Sequence, residues 1–352
     1  MRSAACSKSR SKVLFESDGA GVFSGDIDTA LAATDDIYQL GDGLVGLRGV
    51  PLAVYRFFER EFRNLARKYR AEENLYPSML PVGVLEEVGY FANFPQHVTL
   101  CSHFPDRVPI LGAVSEAASE QEGRLPTELR AQLAPPEHVL QPAVCLPCYR
   151  QQRGRVLAPG SSFAVTMQNH VYRYESRNFR SLSRLWDFEV RDIVFFGSLE
   201  VLSAFRMELM EHAIELCREL GLAARMELAT DPFFTAVEGK EVYQRLAAVK
   251  YELGAELPHR NERLAVSSFN LHRDFYTGVY DIRFDDGEVA ESACIGFGLH
   301  RWTYAFLAQM GLDSRRWPDR VRAAASSCPA SSTAVEVDPA KEPDQLSQAA
   351  GR

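Results

Sequence analysis

Two long stretches of the chain carry apolar residues at a helical period. In residues 54–73 the apolar positions recur close to every 3.6 residues: Val54, Phe57, Phe58, Phe62, Leu65 and Tyr69. The second stretch repeats similarly: Leu199, Leu202, Phe205, Leu209, Leu216 and Leu220. Gly221 follows it, and glycine commonly ends a helix. The pattern therefore predicts two amphipathic helices, over residues 54–73 and 199–220.

Four other segments read as β-strands, because they are rich in β-branched and aromatic residues and are broken by Gly, Asp or Asn. They span residues 170–176, 184–197, 263–271 and 276–284. Strands that follow one another without a helix between each pair favour an antiparallel sheet over a doubly wound one. Neither a P-loop nor a G-x-G-x-x-G loop occurs in the sequence. The predicted fold class is therefore α+β.

Composition limits the organisation of the chain further. Residues 1–25 and 321–352 offer little to bury and are expected to be disordered tails around one domain over residues 26–320. No apolar run is long enough to cross a bilayer, so a cytoplasmic protein without a membrane partner is expected. Seven cysteines, an odd and sparse set, favour reduced thiols. The net charge of −8 disfavours a large nucleic-acid partner.

The segment VYRYESRNFRSLSRLWDFEVRD is consistent with nucleotide binding. Alternation on a strand would place Arg173 and Glu175 on one side. An arginine fork suits the α-phosphate of ATP, a carboxylate can accept from the adenine amino group, and Phe188 can stack on the base. The alternative for this segment alone is an exposed hairpin with alternating charges.

The segment SACIGFGLHRWTYAFLAQMG joins a predicted strand to a predicted helix through Gly296 and Gly298. Glycines permit close approach of the backbone, and Arg301 in the first helical turn can meet the far side of a nucleotide. The alternative is an ordinary tight turn with a solvated arginine.

Together, the two segments resemble motifs 2 and 3 of the class II aminoacyl-tRNA synthetases. Several runs extend the likeness over roughly residues 75–312: YPSMLPVGVLEEVGYFANFPQHVTLCSHF, QPAVCLPCY, YRYES, TDPFF, KYEL, SSFNLHRDFY and ACIGFGLHRW. In these runs the chain resembles the amino acid:[carrier protein] ligases, which are similar to the catalytic core of the atypical seryl-tRNA synthetases of methanogenic archaea. The resemblance implies a class II antiparallel sheet flanked by helices, and a homodimer.

The same resemblance implies an activity. These ligases use ATP to make an aminoacyl-adenylate and pass the aminoacyl group to the phosphopantetheine thiol of an acyl or peptidyl carrier protein. Glycine or alanine is the substrate class that it implies. In-line attack of the substrate carboxylate on the α-phosphate needs positioning and charge neutralisation, which Arg173 and Arg301 are expected to supply, rather than a side-chain base.

The resemblance also implies a zinc ion that binds the substrate amino group through two cysteines and a carboxylate. Cys145 and Cys294 stand at the cysteine places, and Asp192 stands where the family usually has Glu. Three protein ligands leave a fourth position open for a neutral amine. Ordinary buried cysteines are the alternative. Cys145 and Cys148 form a C-x-x-C, which is typical of a redox pair or of half a zinc knuckle. We interpret Cys148 instead as a neighbour of the site that belongs to the core.

Four further residues lie between the two nucleotide motifs. Glu252 is expected to hold Mg²⁺ on the ATP phosphates, and Lys250, Ser268 and Asn270 are expected to line the ribose or substrate pocket.

The histidines are given no catalytic role. His97, His103, His212 and His272 are interpreted as structural or exposed, and His300 replaces the Glu that usually precedes the motif 3 arginine.

Binding of tRNA is expected to be absent, because the sequence before the core is short and irregular and the chain is acidic. Two alternatives stay open. One is aminoacylation of tRNA or of a protein side chain by a synthetase paralogue. The other is a non-catalytic paralogue that binds an amino acid or adenylate. Asp192 in place of Glu, and the absence of a carboxylate just before the Ser267–Ser268 pair, would favour this alternative.

Overall fold

The structure is a computed structural model that describes residues 13–19, 21–175, 178–231 and 248–326. Its centre is an eight-stranded sheet with the spatial order β1-β11-β12-β13-β15-β10-β9-β4. These strands are β1 (Val13–Ser17), β4 (Glu72–Glu73), β9 (Phe163–Tyr172), β10 (Asp187–Gly197), β11 (Ala224–Leu228), β12 (Lys250–Leu257), β13 (Glu262–Arg273) and β15 (Glu291–Gly298). Neighbours pair antiparallel, except β4 and β9, which are parallel.

Three small sheets surround the main one. They are formed by β2 (Ile37–Gly41) with β3 (Leu44–Leu47), by β5 (Met79–Pro81), β7 (His138–Leu140) and β6 (Thr99–Cys101), and by β8 (Val156–Leu157) with β14 (Arg283–Phe284). The described helices are α1 (Ile27–Ala32), α2 (Gly49–Lys68), α3 (Val82–Glu87), α4 (Tyr90–Asn93), α5 (Val108–Glu120), α6 (Leu146–Gln151), α7 (Leu199–Glu219), α8 (Phe275–Val279), α9 (Leu299–Met310) and α10 (Asp319–Ser326).

Each face of the main sheet has its own hydrophobic cluster. Along β10, Ile193 and Phe195 belong to the cluster under α2, α7 and α9, whereas Val194 and Phe196 belong to the cluster under α3 and α6. This alternation is the period of two expected for a strand that is buried on both faces. Asp192 and Cys294 therefore point to the second face, where the smaller elements leave room for a cavity.

The prediction of an α+β fold with a mainly antiparallel sheet is confirmed. The two predicted helices are also found, as α2 and α7, although α2 begins five residues earlier than predicted, at Gly49, and ends at Lys68. Three of the four predicted strands correspond to β9, β10 and β13. In the described part of the chain, no helix has the length and apolar character needed to cross a membrane.

Two predictions are wrong. The predicted strand over residues 276–284 is instead the helix α8 followed by the short strand β14. The prediction of disordered tails is wrong at both ends: α10 occupies the first six residues of the tail predicted over residues 321–352, with Val321 buried in the first cluster. The tail predicted over residues 1–25 contains β1, whose Phe15 pairs with Met226. This strand forms because the edge of β11 offers unpaired backbone groups and because Leu14 and Phe15 pack against the core. Residues 1–12 and 327–352, where tails were also predicted, lie outside the described residues.

Candidate active site

One cavity of about 240 Å³ lies over β10, β13 and β15 on the second face of the sheet. It brings together ten of the eleven site residues expected from the sequence: Cys145, Arg173, Phe188, Asp192, Lys250, Glu252, Ser268, Asn270, Cys294 and Arg301. They come from separate parts of the chain, and seven of them meet because the neighbouring strands β10, β12, β13 and β15 place them side by side.

A cluster of two thiols and one carboxylate forms the floor of this cavity. The ligand atoms of Cys145, Asp192 and Cys294 all lie within 4.8 Å of one another, and all three residues are buried. The Cys294 Sγ donates to Asp192 Oδ2 at 3.3 Å. Asp192 and Cys294 project from the paired strands β10 and β15, and Cys145 is the N-cap residue that immediately precedes α6.

Gly296 leaves room for this carboxylate. It lies opposite Asp192 in the ladder between β10 and β15. A Cβ atom at position 296 would be only 2.9 Å from Asp192 Oδ1. The close approach at this point therefore requires glycine.

Burial makes the charged forms of the cluster costly unless a counter-ion is present. Burial raises the pKa of Asp192 to about 6, against the opposing effects of the Cys294 hydrogen bond and the Arg173 charge. The hydrogen bond with Cys145, and then burial, raise the pKa of Cys294 well above its usual value. A metal ion bound between the two thiols and the carboxylate would stabilise their anionic forms.

Two arginines also line the cavity, Arg173 and Arg301. The guanidinium of Arg173 lies 5.9 Å from the ring centroid of Phe188, and its Nε donates to the Pro142 carbonyl at 2.9 Å. The half-buried Arg301 donates to the Ser183 carbonyl at 3.1 Å and to the Ala265 carbonyl at 3.2 Å. Both guanidinium groups are therefore held by main-chain atoms before any ligand arrives.

Lys250 lies between two carboxylates in the cavity wall. Its Nζ is 2.7 Å from Asp231 Oδ1 and 2.9 Å from Glu252 Oε1. Burial lowers the pKa of Lys250, but the two carboxylates outweigh it, so that the net shift is upward. The adjacent Asn270 donates to the Ser268 hydroxyl and to the Cys294 carbonyl, each at 3.3 Å.

Glu175 is the expected site residue that does not line the cavity. Strand β9 ends at Tyr172, so Arg173 and Glu175 lie in the loop after it and do not share a strand face. Glu175 forms an ion pair with Arg184. Its charge still acts on Arg301, which places it near the margin of the cavity.

Several residues have roles that the sequence did not reveal. The cavity wall also contains Tyr90, His97, Asp231, His272 and Tyr276. Asp231 and Tyr276 fall in the runs TDPFF and SSFNLHRDFY, which was the one signal available for them; residues 232–247, including the end of TDPFF, lie outside the described part of the chain. Tyr90 falls in the run YPSMLPVGVLEEVGYFANFPQHVTLCSHF but was given no role there, and the two histidines were interpreted as structural or exposed.

Three neighbours of the site are structural. Cys148 is fully buried in the second cluster, as interpreted from the sequence. Trp302 is also fully buried and donates to the Ser267 hydroxyl at 2.9 Å, so it acts on the cavity only through that serine. His300 accepts a hydrogen bond from the Glu189 backbone N–H at 3.2 Å.

No protein-family model matches the chain. Two proteins of Bradyrhizobium diazoefficiens do resemble it over most of its length. Its "amino acid--[acyl-carrier-protein] ligase 2" is 34% identical over 307 residues, which are 84% of this chain and 89% of that protein. The ligase 1 of the same organism is 30% identical over 305 residues, with 84% and 91% covered. A type-2 serine–tRNA ligase of Methanococcus aeolicus is 28% identical over 277 residues, which are 76% of this chain and 52% of that protein.

Solved structures show the same fold. The M. kandleri seryl-tRNA synthetase, solved in complex with A. aeolicus tRNASec, has a TM-score of 0.81 at 23% identity, and the match covers 90% of this chain but 63% of the synthetase. The Pyrococcus horikoshii seryl-tRNA synthetase complexed with ATP has a TM-score of 0.56 at 14% identity, covering 81% of this chain and 56% of the synthetase. The expected class II synthetase fold is thus confirmed. With relatives of 30% and 34% identity along 84% of its length, the chain belongs to the amino acid–[acyl-carrier-protein] ligases and is a ligase.

Proposed function

We propose that this ligase uses ATP to activate a small amino acid of the glycine or alanine class and transfers it to the phosphopantetheine thiol of a carrier protein. The observation that carries the proposal is one cavity that is lined both by a thiol–carboxylate cluster and by two half-buried arginines, Arg173 and Arg301. The names of the Bradyrhizobium relatives supply the class of acceptor.

The cluster fits a zinc ion. Two thiols and one carboxylate are a donor set that zinc accepts. A tetrahedral ion with bonds of about 2.3 Å to sulfur and about 2.1 Å to oxygen would separate those ligand atoms by roughly 3.6 Å. The 3.3 Å between Cys294 Sγ and Asp192 Oδ2 is close to this separation, so Asp reaches the site although it is shorter than Glu. Cys145, Asp192 and Cys294 would hold the ion, which supplies an open position for a neutral α-amino group.

Recognition through the amino group has a consequence for specificity. A hydroxy acid lacks the neutral amine that fills the fourth position, so the site selects amino acids against hydroxy acids. The cluster also fixes the direction of the substrate, because its amino end must face Asp192 while its carboxylate faces Arg173.

We propose that Arg173, Phe188 and Arg301 bind ATP, with Glu175 at the edge of the nucleotide site. The base stacks on Phe188, and the two guanidinium groups contact the α-phosphate from either side. The substrate carboxylate attacks the α-phosphorus in line, and the bond to the β-phosphate oxygen breaks to release pyrophosphate. Both arginines act as fixed charges for the oxygens of the transition state.

Lys250, Glu252, Ser268 and Asn270 complete the site in this proposal. Glu252 holds Mg²⁺ on the phosphates, while Lys250 keeps that carboxylate in place through its 2.9 Å ion pair. Ser268 and Asn270 face the substrate or the ribose. In the second step the carrier thiol attacks the adenylate carbonyl, and AMP leaves with the electrons of the broken acyl–phosphate bond.

The identity of the molecule that accepts the aminoacyl group distinguishes the proposed function from aminoacylation of tRNA. Because the M. kandleri neighbour was solved with a tRNA, aminoacylation of tRNA is the second candidate. Radiolabelled glycine and alanine should be transferred, in the presence of ATP, to an acyl carrier protein that bears phosphopantetheine and not to the same protein without it. Labelled tRNA in a parallel reaction, with unlabelled carrier, would contradict the proposed acceptor. Failure to label carrier, tRNA or free pantetheine would favour a non-catalytic binding protein.

A homodimer belongs to the proposal as well, because the resemblance to class II synthetases implies one. Sedimentation at micromolar concentration checks it, and a monomer with full activity would contradict it.

A further inference from the structure

Tyr276 forms an aromatic wall beside the thiol–carboxylate cluster. It lies on α8 and lines the same cavity as Cys145 and Cys294. Burial raises the pKa of Tyr276, so its hydroxyl stays protonated. Nothing in the proposed chemistry requires this side chain.

The ring of Tyr276 is clamped on several sides. It stacks on Tyr149 with 4.5 Å between the ring centroids, and it meets His272 edge-on at 4.9 Å. The Tyr149 hydroxyl and His272 Nδ1 are in turn 2.9 Å apart. Since Tyr149 is fully buried and lies on α6, which directly follows Cys145, the wall is joined to the helix that a cluster thiol caps.

Tyr90 forms a second aromatic wall of the cavity. It packs against Phe94 with centroids 5.2 Å apart, and Phe94 stacks on His97 at 5.9 Å. Tyr90, Tyr276 and Cys145 line the same cavity. An amino acid held by its amino group at the cluster has its α-carbon, and therefore its side chain, between these walls.

We infer that Tyr276 is the residue that limits the size of the substrate side chain, admitting hydrogen or methyl and excluding longer chains. The inference rests on the proposed function, because it takes the amino group to bind at the cluster. A rigid ring is needed for this role, since a mobile one would move away at little cost and discriminate weakly. The contacts of Tyr276 with Tyr149 and His272 provide that rigidity.

The test is ATP–pyrophosphate exchange with glycine, alanine, 2-aminobutyrate and valine. Tyr276→Ala should raise the kcat/KM for 2-aminobutyrate relative to alanine by at least about tenfold, the usual discrimination for one methylene. Tyr276→Phe keeps the ring and should leave the ratio unchanged, whereas Tyr276→Trp should lower alanine relative to glycine. Val279→Ala is the matched control, because Val279 lies on the same helix α8 but is 44% exposed and does not line the cavity.

The outcomes separate the inference from the function beneath it. If the wild-type enzyme exchanges with glycine or alanine and neither Tyr276→Ala nor Tyr276→Trp changes the ratios, the inference is overturned and the proposed function stands. If Tyr276→Ala does not fold, Tyr276→Trp decides alone through the ratio of alanine to glycine. Absence of exchange by the wild-type enzyme with every amino acid overturns both.

Discussion

Acid should destabilise this protein partly through His300, and His300→Asn should remove that part. The side chain is only 8% exposed, and its Nδ1 accepts the Glu189 backbone N–H. Burial lowers the pKa of His300 to about 4, although the charges of Glu189 and Asp187 oppose this effect. The ring is therefore neutral in the folded protein at neutral pH, as its acceptor role requires.

The sign and size of the effect follow from the two states. The folded-state pKa lies below the value of about 6.5 expected in the unfolded chain, so the unfolded chain takes up a proton first as the pH falls. The contribution to stability is fully present above about pH 6.5 and is lost progressively toward pH 4. At about pH 4.5, the free energy of unfolding should have fallen by roughly 2.5 kcal/mol on account of this one group.

Urea unfolding followed by circular dichroism measures the effect at about pH 7 and at about pH 4.5. Asparagine keeps an oxygen acceptor near the Nδ1 position but does not titrate. The wild-type protein should therefore lose roughly 2.5 kcal/mol more stability between the two pH values than His300→Asn does. His212→Asn, at an exposed position on α7, is the matched control and should behave like the wild-type protein. Equal losses in the wild-type protein and His300→Asn would refute the reasoning.

Three further predictions concern the thiol–carboxylate cluster. Cys294→Ser should lose bound zinc and at least about 100-fold in exchange rate. Cys217→Ser, at a buried core position on α7, should keep both, and full activity in metal-free Cys294→Ser would contradict the site. Gly296→Ala should displace the Asp192 carboxylate and lower the zinc content, measured by metal analysis. Gly278→Ala, with open space around its Cβ, should keep its zinc, and equal metal content in the two variants would count against the assigned geometry. Chelation should abolish exchange in the wild-type enzyme and added zinc should restore it, so activity that survives complete metal removal would exclude a zinc requirement.

The sequence was most informative where local pattern and distant pairing agree. Ile193 to Phe196 alternate between two buried faces, and the strand predicted around them is β10. The ligand set proposed from the resemblance is brought together because β10 and β15 pair in a register that places Asp192 opposite Gly296, two residues from Cys294. Short sequence motifs shared with a family indicate such distant pairing, because each motif belongs to one short element of the common fold.

Other features depended on tertiary contacts that no local pattern encodes. Residues 276–284 are rich in β-formers, yet the first of them form α8, in which Tyr276 packs on Tyr149 far away in the sequence. Tertiary packing overrides propensity in such short segments. Strand β1 was missed for a similar reason: Phe15 finds its pairing partner at Met226. The role of Tyr90 in the cavity follows from where α4 docks and has no signature of its own.

The central claim is that one cavity activates a small amino acid with ATP through a metal-held amino group. It is tested most directly by amino-acid-dependent ATP–pyrophosphate exchange across the twenty amino acids, without tRNA, with zinc measured on the same sample. The proposed function predicts about one zinc per chain, as expected for a single three-ligand site, and exchange with glycine or alanine. Zinc-replete protein that exchanges with none of the amino acids would contradict it.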